Sequence, residues 1–253
     1  MSDYLFKSVV FRPRLTAPVP GNPYYNRKAS GGYSPCIKGK PSIEGLDVLC
    51  NCVGYGVGRF NEIAGAGNCS LLASKNAEDM LEVAIKQGLK ITTDPYLGGC
   101  LVWSKGKIAD GSDGAGHIAI CEDYQIVKGK IQIITSESGW GSYSFKTVQR
   151  MGRNWSQGSR YEYRGCIINP YVFCEFPRPD VTIKFGMQGD SVRWLQWHLI
   201  AHGYDVGKSG IDGIFGPRTK NAVGLFQQLS GLVVDHCVGK HTKDALEKGV
   251  YHD

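Results

Sequence analysis

At 253 residues, 42% hydrophobic and 21% charged, the chain is long enough for one large or two modest domains, each with its own core. The net charge of +6 lies wholly before Asp180, where 21 Lys and Arg face 15 Asp and Glu; from Asp180 onward 8 balance 8. The composition is ordinary for a soluble globular protein, no apolar run approaches the roughly 20 residues that span a membrane, and the basic surplus fits an anionic polymer such as nucleic acid or a bacterial wall.

Residues 1–12 break their short apolar patches with charge and contain no signal-peptide core, which implies synthesis in a cytoplasm. Residues 1–45 are rich in Pro, Gly, Tyr and Lys, as in Arg12-Pro13-Arg14 and Gly31-Gly32-Tyr33, and read as an extended arm that wraps a domain. Asn51 then predicts a helix cap, with the helix running over residues 52–63. Cys52 opens that helix, where the backbone dipole and free N–H groups lower a thiol pKa, so it is the candidate nucleophile. Gly54, Gly56 and Gly58 cost helix stability, which predicts close packing against another backbone.

Asn76 caps a second predicted helix that Gly88 ends, with Ala77, Met80, Leu81, Ala84 and Ile85 as its core stripe. The period then changes to that of strands at residues 97–103, 117–121, 130–135 and 161–168, separated by turn residues. Two helices followed by antiparallel strands predict an α+β domain with helices packed on an antiparallel sheet. The proline-bearing segment 176–181 reads as a linker, giving a first domain over residues 1–175 and a second over 182–253.

After the linker, Asp190 is the predicted cap of a helix closing at Gly203. Pro217 starts a second helix, carrying Ala222, Val223, Leu225, Phe226 and Leu229 and stopped by Gly231, and a short third helix covers residues 240–248. Three helices in some 70 residues predict a small, self-sufficient all-α bundle.

A nucleophilic cysteine needs a base. Of six histidines, five lie beyond residue 190, leaving His117 alone in the first domain, at the mouth of a strand after the 110–116 loop. The next strand ends in Glu137, which two neighbouring antiparallel strands could set beside His117 as the orienting group. On spacing alone a structural histidine and a solvated carboxylate stay open as the alternative. The nine cysteines (36, 50, 52, 69, 100, 121, 166, 174, 237) include no Cys-x-x-Cys pair. Cys100 and Cys121 read as small buried hydrophobes, and a zinc site using Cys50 and Cys52 has unusual spacing.

Asn51-Cys52-Val53-Gly54-Tyr55 with Arg59, then Pro95 through Trp103, Gly116-His117-Ile118-Ala119-Ile120 and Ser136-Glu137-Ser138-Gly139-Trp140 resemble the ordered motifs of the CHAP family. These are cysteine- and histidine-dependent amidohydrolases/peptidases with a papain-like core that cut bacterial peptidoglycan. The resemblance implies Cys52 as nucleophile, His117 as general base and then acid, and Glu137 as the group that fixes the imidazole. Many members carry Asn where Gly139 stands, so that position's role is not carried over. Some relatives bind calcium through aspartates before the cysteine; with only Glu44 and Asp47 there, no metal and no cofactor is expected.

Gly186-Met187-Gln188-Gly189-Asp190-Ser191-Val192, Asp212-Gly213-Ile214-Phe215-Gly216, Thr219, Phe226-Gln227 and Gly239 with Thr242 resemble the three-helix "type 1" peptidoglycan-binding domain over about residues 182–247. Asp235-His236-Cys237 departs from a usual second Asp-Gly turn. Tyr204 and Phe215 are candidate wall contacts, with a core role equally open. Together the two resemblances imply a bacteriophage endolysin. Its partner would be bacterial peptidoglycan, of Gram-positive type, with no nucleic acid and no membrane insertion. It would be made in the host cytoplasm and act on the wall after release. The bond cut is an amide of the wall peptide, the muramoyl-alanine amide favoured over a stem or cross-bridge peptide bond; a bacterial autolysin and a non-catalytic wall-binding protein are the other readings. Oligomeric state is open.

Overall fold

The computed structural model describes residues 8–19, 21–25, 51–65, 71–105, 116–139, 145–152, 155 and 160–251. Gly31 to Tyr33, Glu44, Asp47, Cys36, Cys50, Cys69, the loop at 110–115 and Trp140 lie outside them. In chain order the elements are a 3-10 turn (Pro23–Tyr25), α1 (Cys52–Ala64), a second 3-10 turn (Ala77–Asp79) leading into α2 (Met80–Lys86), β1 (Ile91–Thr92), β2 (Cys100–Lys105), β3 (His117–Val127), β4 (Lys130–Ser138), β5 (Phe145–Met151), β6 (Tyr161–Ile167), α3 (Asp190–Ala201), α4 (Pro217–Leu229) and α5 (Lys240–Leu246).

The six strands form one sheet in the order β1-β6-β2-β3-β4-β5, with every pairing antiparallel. The α+β expectation therefore holds for this part of the chain. α1 lies against the sheet because glycine lets it. A Cβ on Gly56 would meet Ile118 Cδ1 of β3 at 2.6 Å, and one on Gly58 would collide with the Tyr24 carbonyl oxygen. The predicted backbone approach is thus found at Gly58, and at Gly56 the close neighbour is a side chain. The arm does wrap the domain: Phe11 is buried in the core, Val9 N–H donates to the Tyr171 carbonyl at 2.9 Å, and Tyr25 stacks on Tyr55 at 5.5 Å.

Several elements differ from expectation. Asn76 accepts from Ala77 N–H at 3.2 Å and caps the 3-10 turn, while α2 itself has no side-chain cap. Ile85 is exposed, leaving Ala77, Met80 and Ala84 as the buried stripe. Strand β5 had no apolar alternation to announce it; its sequence, Phe-Lys-Thr-Val-Gln-Arg-Met, is that of a sheet edge, mostly unburied. Asp190 is the first residue of α3, pairing with Arg193 Nη1 at 2.7 Å, and Gly189 takes the cap position because its φ of +104° suits glycine.

Pro217 begins α4 as expected. Ala222, Val223 and Phe226 are buried there, whereas Leu225 and Leu229 face outward. The three helices close over a core of their own, Ile183, Val192, Leu195, Leu199 and Phe215, and Trp197, Ala201 and Val250 also reach the core of the sheet.

Candidate active site

Cys52 is the first residue of α1. The preceding Asn51 is extended (φ −159°, ψ 151°), and its side-chain oxygen accepts from Val53 N–H at 2.7 Å and Gly54 N–H at 3.0 Å. Two of the helix's orphan donors are thereby satisfied, and the thiol is held at the positive end of the helix.

His117 opens β3, paired across the ladder with Trp103 of β2, whose ring centroid lies 5.8 Å from the imidazole. Tyr161 of β6 meets the same ring edge-on at 6.3 Å. Gly116 allows this crowding, since a Cβ there would strike the Trp103 carbonyl oxygen and the backbone of Glu78. In the β3/β4 register Ile120 pairs with Ser136, so alternation puts His117 and Glu137 on the other face of the sheet. His117 Nε2 lies 3.2 Å from Glu137 Oε2, which leaves Nδ1 for the hydrogen bond with the Cys52 thiol. The structure thus brings Cys52, His117 and Glu137 together, in the order sequence reasoning predicted.

Burial by itself would push the Cys52 thiol up. The hydrogen bond and charge of His117, with the backbone N–H groups of Ile118 and of Cys52 itself, outweigh it and bring the thiol below its usual value. Burial opposes the imidazolium too, yet its bonds to Cys52 and Glu137 raise His117 to about 9. Glu137 is buried, which alone would favour its neutral form, but His117, Arg150 and Lys146 hold it down to about 2. Both shifts favour thiolate and imidazolium beside a fixed carboxylate. Elsewhere burial wins: the thiols of Cys100 and Cys121 are pushed well up, and those of Cys166 and Cys174 up to about 12. Cys100 and Cys121 are the buried hydrophobes expected.

Sequence reasoning missed the residues around Glu137. Arg150 Nη2 donates to Glu137 Oε2 at 2.6 Å, and Lys146 Nζ lies 3.2 Å from Oε1. Their alternation, with Val148 between, is a period-2 pattern that places both cations on one face of a strand. It also missed Glu122, which on the α1 side accepts from Arg59 Nε and Nη2, each at 2.9 Å, from Ser136 Oγ at 2.6 Å and from the backbone of Arg14 at 2.7 Å. Tyr55 OH donates onward to Ser136 Oγ at 2.7 Å. This buried network ties the arm, α1, β3 and β4 together beneath the site.

Among the described residues, no group of three or more His, Cys, Asp and Glu side chains converges as a metal site. Phe215 is buried in the helical core, whereas Tyr204 is half-buried and packs edge-on against Phe226 at 5.7 Å. No helix is long and apolar enough to cross a membrane among the described residues.

Comparison with known proteins identifies the C-terminal part of the chain. Residues 188–246 match the family described as "Putative peptidoglycan binding domain", within the stretch of about 182–247 expected from sequence. A Bacillus licheniformis protein named "Probable N-acetylmuramoyl-L-alanine amidase" is 38% identical over 66 residues, 26% of this chain and 19% of that protein. The type VI secretion system spike protein VgrG3 of Vibrio cholerae is 40% identical over 76 residues, 26% of this chain and 8% of that one. The chain thus spans under a fifth of the length of these relatives. The solved SleB N-terminal domain is 38% identical and covers 28% of this chain and 96% of its own, with a TM-score of 0.27.

Proposed function

We propose that this chain is a peptidoglycan hydrolase of the CHAP kind, a bacteriophage endolysin, that cleaves an amide in the peptide part of the bacterial wall with Cys52 as nucleophile. The observation that carries the reading is the Cys52–His117–Glu137 convergence, with Cys52 the one lowered thiol among the described cysteines whose pKa is displaced, on a chain that also holds a peptidoglycan-binding domain. The order of the motifs supports the CHAP assignment. Of the bonds open to such a triad, the reading favours the one between muramic acid and the first alanine over a stem or cross-bridge peptide bond; the likeness to an amidase lies in the wall-binding region and supports the substrate, peptidoglycan.

The Cys52 thiolate adds to the amide carbonyl while backbone N–H groups at the start of α1 stabilise the oxyanion. His117 gives its proton to the departing amine, and the C–N bond breaks to leave a thioester. Water then adds to the thioester, with His117 taking its proton. Collapse releases the acid and restores the thiolate and imidazolium. Glu137 keeps Nε2 protonated and the ring in plane throughout. The C-terminal domain holds the enzyme on its insoluble substrate and raises the local concentration of cleavable bonds. The protein is made in the host cytoplasm and reaches the wall after release.

Cys52→Ala abolishes clearing of Gram-positive walls while the protein still sediments with them; clearing by the variant would overturn the nucleophile assignment. Mass spectrometry of the digest reads the bond: a new N-terminal alanine marks amidase cleavage, and new termini inside the stem or bridge mark an endopeptidase.

A further inference from the structure

Glu137 has two cationic neighbours besides His117, and they are not equivalent. Lys146 is half exposed, so water competes for its ammonium. Arg150 is 3% exposed and constrained from three directions: Nη2 donates to Glu137 Oε2 at 2.6 Å, Nε donates to Thr135 Oγ1 at 3.0 Å, and the guanidinium carbon stands 4.7 Å over the Trp103 ring. Oε2, the oxygen it grips, is the one that faces His117 Nε2. Trp103 therefore flanks both the imidazole and the guanidinium that share Glu137 Oε2.

We propose that Arg150 is a positioning residue for the hydrolytic reaction, clamping Glu137 on the Trp103 platform so that one fixed oxygen orients His117 toward Cys52. The inference rests on the hydrolase reading and deepens it. A planar fork held by a ring and two hydrogen bonds fixes the carboxylate as a lysine could not. Arg150 also offsets part of the negative charge that His117 feels. The groups facing His117 are Cys52 from α1, Glu137 from β4, Trp103 from β2, Tyr161 from β6 and, behind Gly116, the backbone of Glu78. Arg150 and Lys146 act from β5 through Glu137. Loss of the buried cation lets the imidazolium keep its proton to higher pH.

The test is wall clearing by the full chain carrying Arg150→Met or Arg150→Lys, with kcat and KM measured from about pH 6 to 10 and a thermal melt beside each. In Arg150→Met, kcat falls about 10²-fold with KM little changed, as expected of a misplaced orienting group, and the alkaline limb moves up by about one pH unit. Arg150→Lys keeps the charge, so its alkaline limb stays at the wild-type position while kcat falls about tenfold. Wild-type kcat in Arg150→Met, or a loss that follows only the unfolded fraction with the limb unmoved, would overturn the proposal. Should Arg150→Met not fold, Thr135→Val decides, since it removes the bond to Nε and, with it, only the longer 3.3 Å bond from Oγ1 to the Val148 carbonyl, neither of which touches Glu137: a lower kcat at constant KM supports the clamp and an unchanged kcat sinks it. Failure of the hydrolase reading looks different, because then the wild type does not clear walls or Cys52→Ala still does. In that case the pH dependence of Cys52 alkylation by iodoacetamide in Arg150→Met reads the same relay without hydrolysis; an unmoved upper inflection counts against it.

Discussion

At Cys52 the two strongest influences oppose each other, burial against the thiolate and His117 for it. Removing His117 leaves burial opposed only by the backbone N–H groups of Ile118 and of Cys52 itself. In His117→Ala, alkylation of Cys52 by iodoacetamide at pH 7 therefore slows by at least about tenfold, and an unchanged rate would mean that the helix start suffices. His117 is raised to about 9, so the imidazolium that must protonate the leaving amine persists up to that pH and is lost above it. Wall clearing should accordingly decline as pH passes about 9; a decline near the ordinary histidine value of about 6.5 would show that the pair does not form. Cys52, His117 and Glu137 were legible in sequence because only one histidine precedes residue 190 and its neighbours fall on adjacent strands. Arg150 and Glu122 were not, because an arginine on a polar edge strand and a glutamate inside an apolar one acquire meaning only through the register that brings them to Glu137 and Arg59.

Element packing explains why α1 tolerates glycine and predicts where it must have it. Gly58→Ala adds a methyl against the Tyr24 carbonyl, fixed backbone, whereas Gly56→Ala meets the tip of Ile118, which can rotate. The first should lose about 1–3 kcal/mol, an overpacking cost larger than the gain of about 1 kcal/mol in helix propensity. The second should lose less, and urea melts of the two variants test the order. If Gly56→Ala is the more damaged, the arm does not fix α1. The helix start, the glycine stops and the central strands were readable because caps and alternation are local. β5 was unreadable because its exposed edge carries little apolar pattern, and the division of the second helix into a 3-10 turn and α2 reflects packing of Glu78 against Gly116, a contact between residues 38 apart in sequence.

At the scale of the molecule, the C-terminal helices close on the sheet around a polar pair that does not close on itself. Leu97 N–H donates to the Gly249 carbonyl at 2.6 Å, and Trp197 and Ala201 enter the core of the sheet. Between them, His202 Nδ1 of the loop after α3 stands 4.0 Å from Asp123 Oδ1 of β3. His202 Nε2 lies 2.8 Å from the Leu246 carbonyl; a carbonyl only accepts, so Nε2 carries the hydrogen and neutral Nδ1 has none to give. Burial lowers the His202 pKa and so favours its neutral ring, and burial likewise raises Asp123 from 3.8 to about 7 despite the Tyr124 N–H. The charged carboxylate is thus the disfavoured form. Stability from this group is full below its unfolded value near 4, declines as pH rises, and is gone above about 7. At about 1.4 kcal/mol per tenfold change in proton affinity, the displacement corresponds to about 4 kcal/mol. Asp123→Asn, which cannot ionise, should melt close to the wild type at pH 4 and well above it at pH 8. Equal differences in melting temperature at the two pH values would show that Asp123 is not the group that titrates. The same measurement reports on the junction itself: in the sequence Trp197 and Ala201 look like ordinary helical core, yet they enter the core of the sheet, and the acid buried in that junction makes its closure sensitive to pH.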